Sequence, residues 1–259
     1  MSTKSYSPFN KLKPVYPELR RTLFFGIGNA KLTEGTATFS LPAGYTCPGA
    51  DKCLAWFDRK EKRLIDGPNS EHRCFAATME ASRPSLRKSV ERNLAILQEA
   101  RTTARMSNVI DLSLPAAFLH YVRVHVDGDF FHQDYFLAWM SAARMNPNRT
   151  FYAYTKSLPI WIAHRDKVPK NFVLTASWGG KWDSLIEPNK LRSARVVHHP
   201  DEAARLGLEI DHDDSHARTD DGRDFALLIH GMGAPGSRHN ASIKRLKSEG
   251  VRYSYSKAS

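Results

Sequence analysis

Six β-prone runs that alternate with helical or turn-rich stretches predict an α/β domain built on a parallel sheet. Three observations carry that expectation. Strict alternation from Thr36 to Glu249 calls for parallel strands joined by right-handed crossovers. Polar residues gather where the runs end, the edge at which such sheets bind ligands. The chain has 259 residues, 41% of them hydrophobic and 25% charged, which suits one globular domain with a sizeable core. Six units fit either an open doubly wound sheet or a partial barrel. Residues 1–22, rich in Pro, Lys and Arg, predict an N-terminal arm, and residues 23–259 a single α/β domain.

In order, Leu23–Leu32 is an apolar run broken by Gly26 and Gly28, without the third glycine of a dinucleotide fingerprint. Thr36–Leu41 alternates and is stopped by Pro42-Ala43-Gly44, which gives the first strand. Asp58–Glu71 is charged, contains the turn cluster Asp66-Gly67-Pro68-Asn69-Ser70, and predicts an exposed insertion. Leu86, Val90, Leu94 and Leu97 recur at helical spacing behind Pro84. Val122–Val126 is the second strand. His132–Met145 is a helix with Phe136, Trp139, Met140 and Ala143 on its core face. Thr150–Tyr154 is the third strand, and Ser157–Lys167 a short helix capped by Ser157. Asn171–Ala176, Ala194–Val197 and Asp224–Ile229 complete the six, with residues 181–193 interrupted by Pro188. Asp201–Leu206 and Ser237–Glu249 read as helices, the second burying Ile243 and Leu246.

The formal net charge of +11 favours a polyanionic partner such as nucleic acid, or a phosphorylated substrate; a solubilising surface is the plain alternative. No run is long enough to span a membrane, and the N-terminus lacks the apolar core of a signal peptide. A small, odd number of cysteines argues against a secreted disulfide framework and points to the reducing cytoplasm.

All three cysteines, Cys47, Cys53 and Cys74, fall in one window after the first strand. Thiolates are soft anionic ligands for zinc or iron–sulfur clusters. Structural zinc needs a fourth ligand, which His72 or Asp51 would supply. Three cysteines on a four-iron cluster instead leave one iron open to a small molecule. Three unrelated cytosolic thiols are the plain alternative.

Other polar groups sit at the strand ends. Asp127 and Asp129 offer acid/base groups or hard donors for magnesium, against a simple Asp-Gly turn. Lys156 would hold a phosphate or carboxylate, against a surface lysine beside a helix cap. Ser177 and Trp178, His198-His199 and His230 end later strands, and adjacent His198 and His199 cannot both face one mouth. Asp211–His216, dense in Asp and His, reads as a solvated loop.

Gly28-Asn29-Ala30-Lys31-Leu32, Ser40–Ala50 with its Leu-Pro-Ala-Gly-Tyr-Thr-Cys-Pro-Gly core, Gly128-Asp129-Phe130-Phe131 and Phe151–Ser157 together resemble the bacteriophage gene product 88 family. The resemblance runs from about Leu23 to Tyr255. That family is in turn similar to radical S-adenosylmethionine (SAM) enzymes, with a cysteine loop after the first strand. This likeness implies a partial (β/α)6 barrel of parallel strands and a host-cell cytoplasmic location. It implies a [4Fe-4S] cluster on Cys47, Cys53 and Cys74, although the cysteine spacing departs from the usual close triplet. SAM would meet Asp127 and Gly128 through its amino group and Thr175, Ser177 and Trp178 through ribose or adenine. Asp129 and Lys156 are the candidate catalytic groups. The implied reaction is reductive cleavage of SAM, fed by an electron donor, to start radical chemistry on an unknown substrate, for which the basic charge would suit a nucleotide or nucleic acid. Two readings from other classes stand beside it: a zinc-stabilised nucleic-acid-binding protein, and a magnesium-dependent nuclease or phosphotransferase in which the cysteines are incidental.

Overall fold

The computed structural model describes residues 22–28, 32 and 35–251, so the expected arm at 1–22 lies almost wholly outside the described residues. Ten strands follow in chain order: β1 (Gly26–Ile27), β2 (Thr36–Thr38), β3 (Ala55–Asp58), β4 (Arg63–Asp66), β5 (Tyr121–Arg123), β6 (Thr150–Thr155), β7 (Phe172–Ser177), β8 (Ser193–Val197), β9 (Glu209–Ile210) and β10 (Phe225–Leu228). Seven α-helices join them: α1 (Phe75–Ser82), α2 (Pro84–Ala100), α3 (Thr103–Ser113), α4 (Gln133–Met145), α5 (Leu158–Ala163), α6 (Pro200–Leu206) and α7 (Arg238–Ser248).

Eight strands form one sheet in the order β1-β2-β5-β6-β7-β8-β10-β9, parallel throughout except for β1 against β2. The six expected strands are β2, β5, β6, β7, β8 and β10, and they lie side by side in chain order. That order has no reversal, so the doubly wound alternative is set aside. The end strands β1 and β9 do not pair with each other, so the sheet is not closed.

Side-chain alternation divides the sheet into two unlike faces. Val122, Phe151, Ala153, Phe172, Leu174 and Ala176 pack with Leu94, Leu97, Ile110, Trp139 and Trp161 of α2–α5. Val197, Ala226 and Leu228, on the same face by register, pack with Ala203 of α6 and Ile243 and Leu246 of α7. Those helices therefore cover one face. The other face presents Tyr152, Val173, Ala194 and Phe225, joined by Ala217 from the segment after β9.

That segment corrects one expectation. Asp211 and Asp214 are not in a solvated loop but are buried to 1% exposure. Asp214 accepts from Arg123 Nη1 at 2.6 Å and from Tyr152 Oη at 3.2 Å, while Asp211 accepts from the backbone N–H groups of Asp213 and Ala217. The loop plugs the open face because β5 and β6 offer it a cation and a phenol. A second correction concerns Ser157, which precedes α5 without capping it; Thr155 Oγ1 accepts from Ser157 N instead. The cap of α4 is His132, whose Nδ1 accepts from Asp134 N at 3.2 Å.

Candidate functional site

The cysteine window leaves β2 through Pro42-Ala43-Gly44 and crosses the carboxyl ends of β6 and β7. It is held there by backbone. Ala50 bridges Gly180, Lys52 N donates to Gly179 O at 2.9 Å, and Lys181 N donates to Gly49 O at 2.9 Å. Glycine is required at position 49, since a Cβ there would stand 2.2 Å from the Lys156 carbonyl oxygen. Buried Glu80 holds the incoming strand, accepting from Ala43 N at 2.6 Å; burial pushes its carboxyl up to about 8.

The stretch from Cys53 to Cys74 is an ordered insertion, exposed at residues 60–63, 68, 69 and 71. It is the β3–β4 hairpin, antiparallel from Ala55–Asp66 to Asp58–Arg63. Its base closes through Gly67 N to Leu54 O at 2.7 Å and through Glu71 N and His72 N to Lys52 O. Residues 52 and 72 are thereby neighbours, and Cys74 is returned to the other two thiols at the N-terminus of α1.

All three cysteines line one cavity of about 220 Å³ at the strand ends. Asp127, Gly128, Asp129, Lys156 and Ser177 line it too, with His72, His125, Tyr154, His230 and His239. The thiols feel one another. Burial pushes Cys47 well above its ordinary value, with Asp129, Cys74 and Cys53 adding; burial and then Cys53 push Cys74 up to about 12. Cys53 is raised by burial, although Lys156 opposes this. The free thiols are thus neutral near pH 7, and holding a metal means displacing their protons.

The carboxyls differ in role. Asp129 is a brace: its oxygens accept from Thr155 Oγ1 at 2.6 Å, Lys156 N at 2.8 Å and Phe130 N at 2.7 Å. Burial nonetheless raises its pKa. Asp127 is 4% exposed, lines the cavity and has no hydrogen-bond partner on its carboxyl group among the described residues; burial pushes it up to about 7 against the pull of Arg123. Gly128 between them has φ +87°, and a Cβ would meet Thr46 Oγ1 at 2.6 Å. Lys156 turns its ammonium to Ser177 O at 2.9 Å, Ser177 Oγ at 2.8 Å and the Trp178 carbonyl, so its three protons tie β6 to β7.

Two expected ligand contacts are not in the cavity wall. Trp178 follows Ser177 and so points to the opposite face, where it packs with the helical core. Thr175 shares the Ser177 face but lies one pleat deeper, buried, accepting from Arg192 Nη1 at 2.9 Å. His198 and His199 are also elsewhere, the first against Ser242 Oγ and the second capping α6. His125, His239, Tyr154 and Arg123 were not singled out from the sequence. His125 has a φ of +69°, in the left-handed region that a non-glycine residue seldom adopts. Burial holds its imidazole down at about 3 and that of His72 down at about 4. The Nδ1 atoms of His125 and His239 and the Tyr154 hydroxyl are buried without a hydrogen-bond partner among the described residues.

The donor set is soft and rich in thiols, but among the described residues no three His, Cys, Asp or Glu side chains are grouped to hold a single metal ion. Among those residues no helix is long and apolar enough to cross a membrane. No curated protein and no solved structure matches the chain. The gene product 88 family profile matches residues 18–247, most of the length. The chain belongs to the gene product 88 family.

Proposed function

We propose that this phage-family protein binds a [4Fe-4S] cluster through Cys47, Cys53 and Cys74 and uses it with SAM, as radical SAM enzymes do, on a fold related to the partial (β/α)6 barrel. One observation carries the reading: three cysteines separated by a hairpin line a single cavity over the ends of sequentially ordered parallel strands. A mononuclear site asks all its donors to meet at one point, about 2.3 Å from each sulfur. A cluster asks less, because each thiolate takes its own iron. Three thiols that line one cavity but are not grouped about a point count against mononuclear zinc.

When bound, such a cluster with an open iron supplies an electron to SAM. The residues of this chain have distinct work in the proposal. Lys156 lowers the cost of ionising Cys53. Asp127, uncommitted and buried, is available to a cationic group of the ligand, and its pKa near 7 lets it ionise as that group arrives. Asp129 and Lys156 act as positioning residues, not catalytic ones, since their polar atoms are engaged with protein. The magnesium reading is less favoured for the same reason, because Asp129 accepts three hydrogen bonds already.

Anaerobic reconstitution of the full chain with iron and sulfide is the test. The expected product holds about four irons per chain, shows sulfur-to-iron absorbance and, once reduced, a paramagnetic signal that SAM perturbs. Cys47→Ser, Cys53→Ser and Cys74→Ser should each lower the iron content. Uptake of zinc alone, or iron uptake indifferent to all three substitutions, would sink the proposal.

A further inference from the structure

The helical layer has a gap. Between β7 and β8 the crossover carries only the one-turn helix Asp183–Leu185, where neighbouring crossovers carry α5 and α6. The gap is a cavity of about 450 Å³, larger than the cysteine cavity and distinct from it. Ile186, Leu191 and Leu208 give it an apolar lining, and Trp178 stands in its wall with the Arg195 guanidinium 4.1 Å from the ring centroid.

Arg192, in its lining, is committed to Thr175 Oγ1, to backbone carbonyls and to Asp221. Other cations at the gap are not. Lys190 and Arg195, both lining the gap, take no carboxylate among the described residues. Arg165 takes none either, and its guanidinium donates to Asn189 O at 2.7 Å, beside Lys190. Of the two acids in the lining, Asp224 accepts from Ser193 N at 2.6 Å and Glu187 is exposed. An aromatic–guanidinium pair flanked by free cations, on a chain of net charge +11, matches how single strands are held: bases stack on aromatic or guanidinium planes and lysines neutralise phosphates.

We propose that this groove binds single-stranded nucleic acid, with a base stacked on Arg195 over Trp178 and phosphates at Lys190 and Arg165. The site is independent of the cysteine cavity and stands whether or not a cluster forms there. The test is fluorescence anisotropy of the full chain with labelled oligothymidylate and oligouridylate over a range of salt. Arg195→Ala should weaken binding about tenfold or more, as loss of a stacking partner does. Lys190→Glu and Arg165→Ala should weaken it and reduce the salt slope by about one per cation removed. Lys60→Ala and Lys62→Ala, at the hairpin tip, should change little, and an abasic oligonucleotide should lose what Arg195→Ala loses. Lys190→Glu, on an exposed side chain, keeps the test valid if Arg195→Ala disturbs Trp178. Groove variants that bind like the parent would overturn the proposal. So would polyglutamate competing as well as the oligonucleotide, which would make the groove a seat for acidic protein.

Discussion

Gly49→Ala isolates the contact that holds the cysteine window over the strand ends. The new methyl would lie 2.2 Å from the Lys156 carbonyl oxygen and 2.6 Å from its carbon, both backbone atoms. Ordinary contact begins near 3.4 Å, so the window must lift by roughly 1 Å. Overpacking of this kind costs about 1–3 kcal/mol. The lift also strains the two 2.9 Å bonds that join the window to Gly179 and Lys181, each worth about 1 kcal/mol. Together the loss is roughly 2–5 kcal/mol, which lowers the melting temperature by about 5–15 °C in a chain of this size. Position 49 needs no left-handed backbone, so the effect is steric rather than conformational. Thermal unfolding followed by circular dichroism reads the stability. Titration with a disulfide reagent reads thiol exposure, and at least Cys47 should react faster than in the parent. A melting point within about 2 °C of the parent, with unchanged thiol reactivity, would refute the reasoning.

Other outcomes follow from the same contacts. Asp127 binds its proton more tightly folded than unfolded, so it adds stability below its ordinary pKa of 3.8 and loses it as pH rises toward about 7. Asp127→Asn should therefore match the parent near pH 3 and exceed it at pH 8, by at most roughly 4 kcal/mol; equal urea midpoints at both pH values would contradict this. The three thiols carry the same sign at higher pH: with Cys74 held up at about 12, the stability of the metal-free protein should fall above about pH 9, where unfolded thiols ionise. Iodoacetamide should accordingly label the native chain slowly at pH 8 and the urea-unfolded chain fast. Asp214→Ala strips half-buried Arg123 and buried Tyr152 of their shared acceptor and should cost about 3–5 kcal/mol in urea denaturation. A value under about 1 kcal/mol would return that loop to the surface role its composition suggests.

How much of this was legible in the sequence varies with the range of the forces involved. Six of the eight strands of the sheet could be read because alternation and turn residues are local. The same holds for α7, where Ile243 and Leu246 recur one turn apart and are buried. Helix α3 has a weak apolar pattern, and so does α1, which buries Ala76 and Ala77 against Ala43 and Ala55, residues too small to mark a stripe. That Ser177 and Trp178 face opposite ways follows from strand geometry whatever the fold. The acids of the loop at 211–216 carry no such local sign: Asp214 is buried where Arg123 and Tyr152, far away in sequence, face it.

The cysteine window shows the division most clearly. The sequence by itself determined that three thiols follow the first strand and that polar groups end the others, because strand periodicity and turn chemistry act over a few residues. Only the tertiary structure decided that Cys74 returns to Cys53, that Asp127 stays uncommitted while Asp129 is fully bonded, and that Trp178 serves a different groove. Those outcomes depend on contacts between residues well apart in sequence, from Lys52 with Glu71 and His72 at the hairpin base to Gly49 with Lys156 and Lys181, more than 100 positions away. Such contacts form where the packed sheet brings chain ends together, and no local pattern encodes them.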